Sequence, residues 1–375
     1  MKRILFVLGL MVAALSLSAQ LALHGVFRND MIITDQMLAG AQFSDILESR
    51  LILSKRSDTW RYYQDLRTYV YSGAIAEAIA EETIESINET LGLVLPVEPE
   101  EYLMLFGSDG ALLQVRLMRA FVRYFSPIGD VTIGKTYVNF GIPGVFNPFE
   151  LAKTLNFSDL AYDREGLLAV EYELPLGDLS GMRTFISPQT ELSNAAAGMG
   201  LYANIGGFDA GVVWLHRGAD QNQAGLYIQG DIEIGINASW AYHFEDAFNE
   251  ISLGIDYSFF NQRLITAVSW YYADAGAATV LDYDYETVQH RYLVASSYVY
   301  GNIRWVHDEF FSAGFECFVN LVDASAMLLP SITYLLADGL TITLRTAFLT
   351  GSGQDEFSRD TRGTFTTILR CEARL

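Results

Sequence analysis

Charged side chains recur at every second position inside runs that are otherwise oily, and this spacing limits the chemistry they can do. Asp65, Arg67, Arg119, Arg123, Lys135, Glu171, Glu173, Asp231, Asp256, Glu316, Arg345, Arg370, Glu372 and Arg374 all lie in such runs. The residues from Thr364 to Leu375 show the pattern. Phe365, Thr367, Leu369, Cys371, Ala373 and Leu375 alternate with Thr364, Thr366, Ile368, Arg370, Glu372 and Arg374. Successive strand side chains point to opposite faces, so the acids and bases share one face and the apolar residues the other. Charges on a wall that meets water sort solutes by their field; they make and break no bonds. Facing arrays of opposite sign would order water and favour small polar solutes. Paired across strands, the same residues would only stiffen the wall.

Bond-making chemistry has little to start from. His24, His216, His243, His290 and His307 show no ligand spacing, so no metal is expected. Cys317 and Cys371 are the only cysteines, each on the apolar face of an expected strand, and read as small hydrophobes facing lipid. There is no serine-hydrolase elbow, phosphate-binding glycine loop or paired-cysteine zinc pattern. An enzyme and a cofactor are therefore not expected. The formal charge of −21 argues against nucleic acid, which needs basic patches.

The elements that carry these residues must be strands. Of all residues 51% are hydrophobic, with 23 Phe, 21 Tyr and 5 Trp, and only 18% are charged. Yet beyond Leu15 no apolar run is long enough for a spanning helix. Oil spread through alternating strands fits a transmembrane β-barrel, whose apolar face meets lipid and whose polar face lines water. A soluble solenoid or sandwich would need a second layer to cover the same faces, and no set of amphipathic helices supplies it. Lys2 and Arg3, the apolar stretch Ile4–Leu15 and the small residues Ser16, Ser18 and Ala19 read as a secretory signal over residues 1–19. Residues 20–375 then form one barrel domain.

Tight turns are expected at Pro127–Asp130, Gly177–Gly181, Gly206–Gly207, Asn261–Gln262 and Ala337–Gly339. Long connections fall at 72–111, 141–164, 189–196, 274–289 and 351–362. The expected strands are 22–34, 42–54, 59–71, 112–124, 131–140, 165–174, 181–188, 197–205, 208–217, 224–232, 233–243, 249–260, 263–273, 290–300, 309–320, 325–336, 339–350 and 363–375. That is eighteen, with sixteen as the alternative. Eighteen places every long connection on one side, as outer-membrane barrels require. Residues 74–92 break the pattern: Ile75, Ile79, Ile87 and Leu91 recur at helical spacing among Glu77, Glu81, Glu82, Glu85 and Glu89. This short acidic helix either filters ions at the mouth or merely covers the rim.

Two stretches resemble a known family. Residues 116–174 carry Gly134, Lys135, Phe140, Gly141, Phe146, Asn147, Pro148, Asp163, Arg164, Glu165 and Gly166, and residues 318–336 carry a strand–Asp-x-Ser–strand hairpin. They are similar to the porin-like outer-membrane barrels of the alginate-export-like group. Phe140 stands where that group has Trp, and the chain ends in Leu375 rather than Phe or Trp; alginate is not implied. The resemblance implies a channel whose loop after Phe140 folds into the lumen. The residues agree: Gly141, Pro143, Gly144 and Pro148 make the segment irregular, while Phe146, Phe149, Leu151, Leu155 and Phe157 make it too oily to stay in water. Packing on neighbouring external loops is the competing expectation. The expected constriction residues are Phe146, Asn147, Pro148, Phe149, Arg164 and Glu165.

The function expected is passive diffusion of small polar solutes through a porin-like channel in the outer membrane of a diderm bacterium. The expected partners are membrane lipid with a lipopolysaccharide-type outer leaflet, the barrel-assembly machinery and the solutes themselves, and the barrel is compatible with a homo-oligomer. The alternative is a closed barrel that binds or adheres through its external loops.

Overall fold

The computed structural model describes residues 22–36, 40–76, 103–108, 111–142, 144–151, 165–188, 195–218, 221–284, 293–358 and 365–375. The signal segment, most of the acidic helix, Asp163 and Arg164 lie outside them; the backbone is helical at 74–76, where that helix was expected to begin. The strands are β1 (Ala22–Gln36), β2 (Gly40–Arg56), β3 (Trp60–Gly73), β4 (Leu103–Ser108), β5 (Ala111–Tyr124), β6 (Asp130–Thr136), β7 (Leu167–Gly177), β8 (Ser180–Ser187), β9 (Ala196–Ile205), β10 (Phe208–Arg217), β11 (Asn222–Asp231), β12 (Gly235–His243), β13 (Phe248–Phe259), β14 (Leu264–Ala273), β15 (Ser297–Val306), β16 (Phe311–Asn320), β17 (Ala326–Ala337), β18 (Leu340–Leu349) and β19 (Phe365–Arg374).

Consecutive strands pair antiparallel, except that β3 pairs with β5 and β4 is added on β5 alone, and β1 pairs with β19, from Val26↔Arg374 to Asp35↔Phe365. The result is a closed barrel of eighteen strands. Closure leaves no unpaired edge, which is the condition for a sheet to stand in hydrocarbon. The tight turns gather at the end that holds both Ala22 and Leu375, and the long connections at the other. Gly206 and Gly207, both at positive φ, make the two-residue turn between β9 and β10.

The outer surface is what the alternation dictates. Leu226, Ile228, Leu253, Ile255, Ile332, Leu344 and Leu369 are exposed, while Ser239 and Ser252 beside them are buried inside. Exposed aromatics mark both ends of the strands: Trp214 and Trp240 toward the long loops, and Tyr124, Tyr257, Trp305 and Tyr334 toward the tight turns. Such belts sit where lipid meets water. Cys317 and Cys371 are half-buried free thiols with the parity of the exposed Phe315 and Leu369.

Three expectations need correction. Strand β15 runs 297–306, not 290–300. Its partner β14 begins at Leu264, and only a strand reaching Trp305 pairs with that end; Gly301 lies within the ladder and does not end it. Strand β6 stops at Thr136, not 140, because the chain leaves the wall there. That departure would strip the outer half of β5 of a neighbour. Strand β4, inside the loop expected to be helical, takes the place through Leu103↔Val115, Met104↔Gln114 and Ser108↔Ala111.

Candidate solute passage

The segment that leaves β6 crosses the barrel. Its base is closed by a bridge between Asn139 and Glu150, with the Tyr137 hydroxyl donating to Glu150 at 3.0 Å. Asn147 clips the turn: its Nδ2 donates to Asn139 Oδ1 at 2.8 Å and to the Phe140 carbonyl at 2.9 Å, and its Oδ1 accepts the Phe149 amide at 3.1 Å. The Pro148 carbonyl accepts from Arg217 on β10 and Gln223 on β11, both at 3.0 Å. Phe146 reaches furthest. Its ring stacks on Tyr271 of β14 with centroids 5.1 Å apart and meets Phe318 of β16 edge-on at 6.0 Å. Those strands lie eight to ten places round the ring from β6, on the facing wall.

Small inward residues make this path fit. Phe149 is fully buried among Val138, Ala169, Val213, Leu215 and Ala241, and Phe140 lies beside Phe185. A Cβ on Gly200 would come within 2.8 Å of the Phe140 ring; one on Gly225 would run into the Trp240 carbonyl oxygen and meet the Phe149 ring at 2.8 Å. The loop therefore lies in a trough along β7–β12 and ends in an aromatic socket on β14–β17. Burial of a phenylalanine of this kind contributes about 1.5–3 kcal/mol relative to leaving it in water.

The opposite part of the wall stays uncovered by these residues and carries the charge. Arg28 bridges Glu372 at 2.9 Å and Glu48 at 3.2 Å; Arg67 continues from Glu48 at 3.2 Å to Asp65 at 3.4 Å; Arg50 joins Asp65 at 2.7 Å. Arg370 joins Asp30 at 2.8 Å, Arg374 joins Glu372 at 2.8 Å, and Arg345 approaches Glu316 at 3.7 Å. These contacts run from β16, β18 and β19 across the β1 seam to β3. Asp65 and Arg67 are almost fully buried, so each needs its partners; removing one partner from such a pair strands the other charge.

Further round, the balance turns positive. Arg61, Arg119, Arg123 and Arg183 line a recess of roughly 310 Å³ with Tyr63, Phe121, Tyr137 and a single acid, Glu171. Arg123 is held by Asp130 at 2.8 Å and Glu173 at 2.6 Å, and Arg183 by Glu171 at 2.8 Å. Arg119 lies over the Tyr137 ring at 5.5 Å and Arg61 over Tyr63 at 5.6 Å. Arg61 also stands opposite Arg123 across the β3–β5 ladder. Lys135 and Arg116 both bind Glu165, Arg116 at 2.5 Å.

Strict alternation misses Arg116. A bulge at Met118 sets Leu66 opposite Leu117 and Asp65 opposite Arg119, so Arg116 and Arg119, three apart, both face inward. Asp256 also faces the lumen, near the tight-turn end, where its carboxylate lies over Gly235 and away from the arginine recess. The sequence signal for the trough was Gly198, Gly200 and Gly225 at inward positions, where a packed wall would carry larger residues.

No family model matches the chain, and no curated protein matches it either. Solved structures do. OccK5 (OpdH) of Pseudomonas aeruginosa superposes with a TM-score of 0.57 at 8% identity, over 94% of this chain and 98% of its own. OccAB4 of Acinetobacter baumannii gives 0.56 at 6%, over 95% and 98%, and OccD3 (OpdP) of Pseudomonas aeruginosa 0.55 at 10%, over 95% and 91%. The fold is that of outer-membrane porins. At these identities the likeness is one of fold alone.

Proposed function

We propose that this barrel is an outer-membrane channel through which small polar solutes diffuse passively, with the segment 137–151 as its constriction. One observation carries the reading: Phe146 is seated on Tyr271, across the lumen from β6. The loop thereby reaches the facing wall and leaves the charged wall of β18, β19, β1, β2, β3 and β5 uncovered by residues 137–142 and 144–151. Phe146, Asn147, Pro148 and Phe149 shape one side of the passage. Asp65, Arg67, Arg119, Arg123, Lys135, Glu165, Glu171, Glu173, Arg345 and Arg370 form the other, with Asp256 toward the tight-turn end and Arg164 beside Glu165 in sequence. Pairing fixes most of these charges, and fixed charges act on a solute without reorganising. The Arg61 guanidinium, lying over the Tyr63 ring in the arginine-lined recess, favours solutes that carry an anionic group and present a flat face to Tyr63.

The setting belongs to the same proposal: the outer membrane of a diderm bacterium, entered after export and assembly, with lipopolysaccharide-type lipid at the long-loop end. The narrower likeness to the alginate-export-like group rests on residues 116–174 and 318–336 and adds no solute. Reconstitution in planar bilayers tests the reading. Stepwise conductance is expected, with a reversal potential favouring anions across a salt gradient. Silent bilayers at every voltage would leave the closed-barrel alternative, in which the external loops carry the activity.

A further inference from the structure

The constriction loop does not end on bare wall. Phe357, in the β18–β19 connection, is fully buried in the cluster that receives Phe146, together with Tyr271, Tyr298, Phe318, Met327 and Leu329. Beside it Glu356 is also fully buried. Its Oε2 accepts the Tyr298 hydroxyl at 2.6 Å and Asn320 Nδ2 at 3.0 Å, and its backbone amide donates to Asp323 Oδ2 at 2.8 Å. The same Asp323 oxygen accepts the Tyr283 hydroxyl at 3.0 Å, while Oδ1 accepts the Ser325 amide at 2.8 Å. The Phe357 amide donates to Ser325 Oγ at 3.1 Å.

A carboxylate is an expensive way to cover an oily cluster. Burying it is unfavourable without a full set of donors, whereas an apolar residue would cover the cluster at no such cost. What the carboxylate adds is direction, because its Oε2 must be placed to meet both Tyr298 and Asn320. That placement ties the β18–β19 connection to Tyr298 on β15 and Asn320 on β16, while the backbone amide ties it to Asp323 in the β16–β17 connection. It also sets Phe357 against the socket in which Phe146 sits.

We propose that Glu356 is a positioning residue for the constriction: by fixing the β18–β19 connection it holds Phe357 as the cover of the Phe146 socket, and so keeps the inner loop across the lumen. The assignment of the loop as a constriction rests on the channel reading; the control of the loop's position does not. Two readouts separate them. In a Cys317→Ser, Cys371→Ser background, Gly144→Cys places a nitroxide label on the loop, at an exposed position with open space around it.

Glu356→Leu and Phe357→Ala should each shorten the label's correlation time by roughly threefold, while Glu356→Gln, which keeps the acceptor oxygen, stays near the parent. In bilayers Glu356→Leu should raise the rate of transitions between conductance levels by roughly tenfold. In a Phe146→Ala background, Glu356→Leu should add nothing to either readout. An unchanged label in both Glu356→Leu and Phe357→Ala, with the barrel folded by its heat-dependent gel shift, would overturn the proposal. So would an equal effect of Glu356→Leu with and without Phe146. A label that responds in a protein that never conducts would keep the positioning role and remove the channel.

Discussion

The Phe146 ring lies 5.1 Å from that of Tyr271, although Phe146 sits on the loop that leaves β6 and Tyr271 on β14, eight strands away round the barrel. The contact fixes how far the inner loop extends. Phe146→Ala should release the loop tip and cost about 3–5 kcal/mol, the usual loss for a buried phenylalanine. Single-channel conductance should rise relative to the parent. A variant that folds less stably yet conducts identically would place the narrow point elsewhere.

The trough makes a second demand. A side chain at Gly200 would meet the Phe140 ring, which is the movable end of a side chain and not backbone. Gly200→Val should destabilise the barrel by about 1–3 kcal/mol through overpacking. Phe140→Ala in the same chain should recover part of that loss, because the two positions share one space. Urea unfolding of the four proteins of the cycle gives the coupling; simple additivity would mean that Phe140 is not what Gly200 makes room for.

Alternation alone was enough to read eighteen strands, the face of Ile255 and Leu344, and the side on which the long connections gather. It failed where the backbone departs from a regular ladder. The Met118 bulge turned Arg116 inward, and no period-two count can anticipate an inserted residue. Strand β4 was hidden because its reason to exist lies in β6, which stops early. The oily composition of 141–151 pointed to a packed loop, but its destination depended on Gly200, Gly225 and Ala241, which are distant in sequence. The Glu356–Tyr298–Asn320 group left no local signal at all.

The inside–outside assignment can be tested in neighbouring residues. Leu344 is exposed on the outer face, while Thr343 shares a hydroxyl contact of 3.2 Å with Thr333 inside. Leu344→Arg should cost about 2–4 kcal/mol if it lies near mid-membrane, since arginine must then enter hydrocarbon. Thr343→Arg faces water and should fold normally. Refolding yield into lipid vesicles measures both, and equal tolerance would contradict the placement of the apolar face in lipid.

A tight turn offers a pH test away from the membrane. The Asp308 carboxylate, between β15 and β16, accepts the amides of Phe310 and Phe311, both at 2.8 Å, and these bonds hold it below the usual carboxylate range. A depressed acid contributes stability above its unfolded value and loses it as pH falls through the folded one. The parent should therefore exceed Asp308→Ala in stability at neutral pH by a small margin that closes in acid. A margin that grows as pH falls would reverse the sign and rule out the carboxylate as the cause.

Arg61 carries the most direct test of selectivity. It is exposed, faces Arg123 across the β3–β5 ladder and, among the described residues, meets the Tyr63 ring rather than an acid. Its charge is therefore offered to the passage and not consumed by the wall. Arg61→Glu should shift the reversal potential toward cations and slow the entry of a small carboxylate in liposome swelling. A neutral sugar of similar size should pass unchanged. Arg345→Glu makes the comparison, since its partner Glu316 lies 3.7 Å away and the pair already compensates. Reversal of one charge beside Glu316 should disturb folding more than selectivity, because two carboxylates are then forced together. If both variants moved the reversal potential alike, the recess around Arg61 would hold no special place along the path.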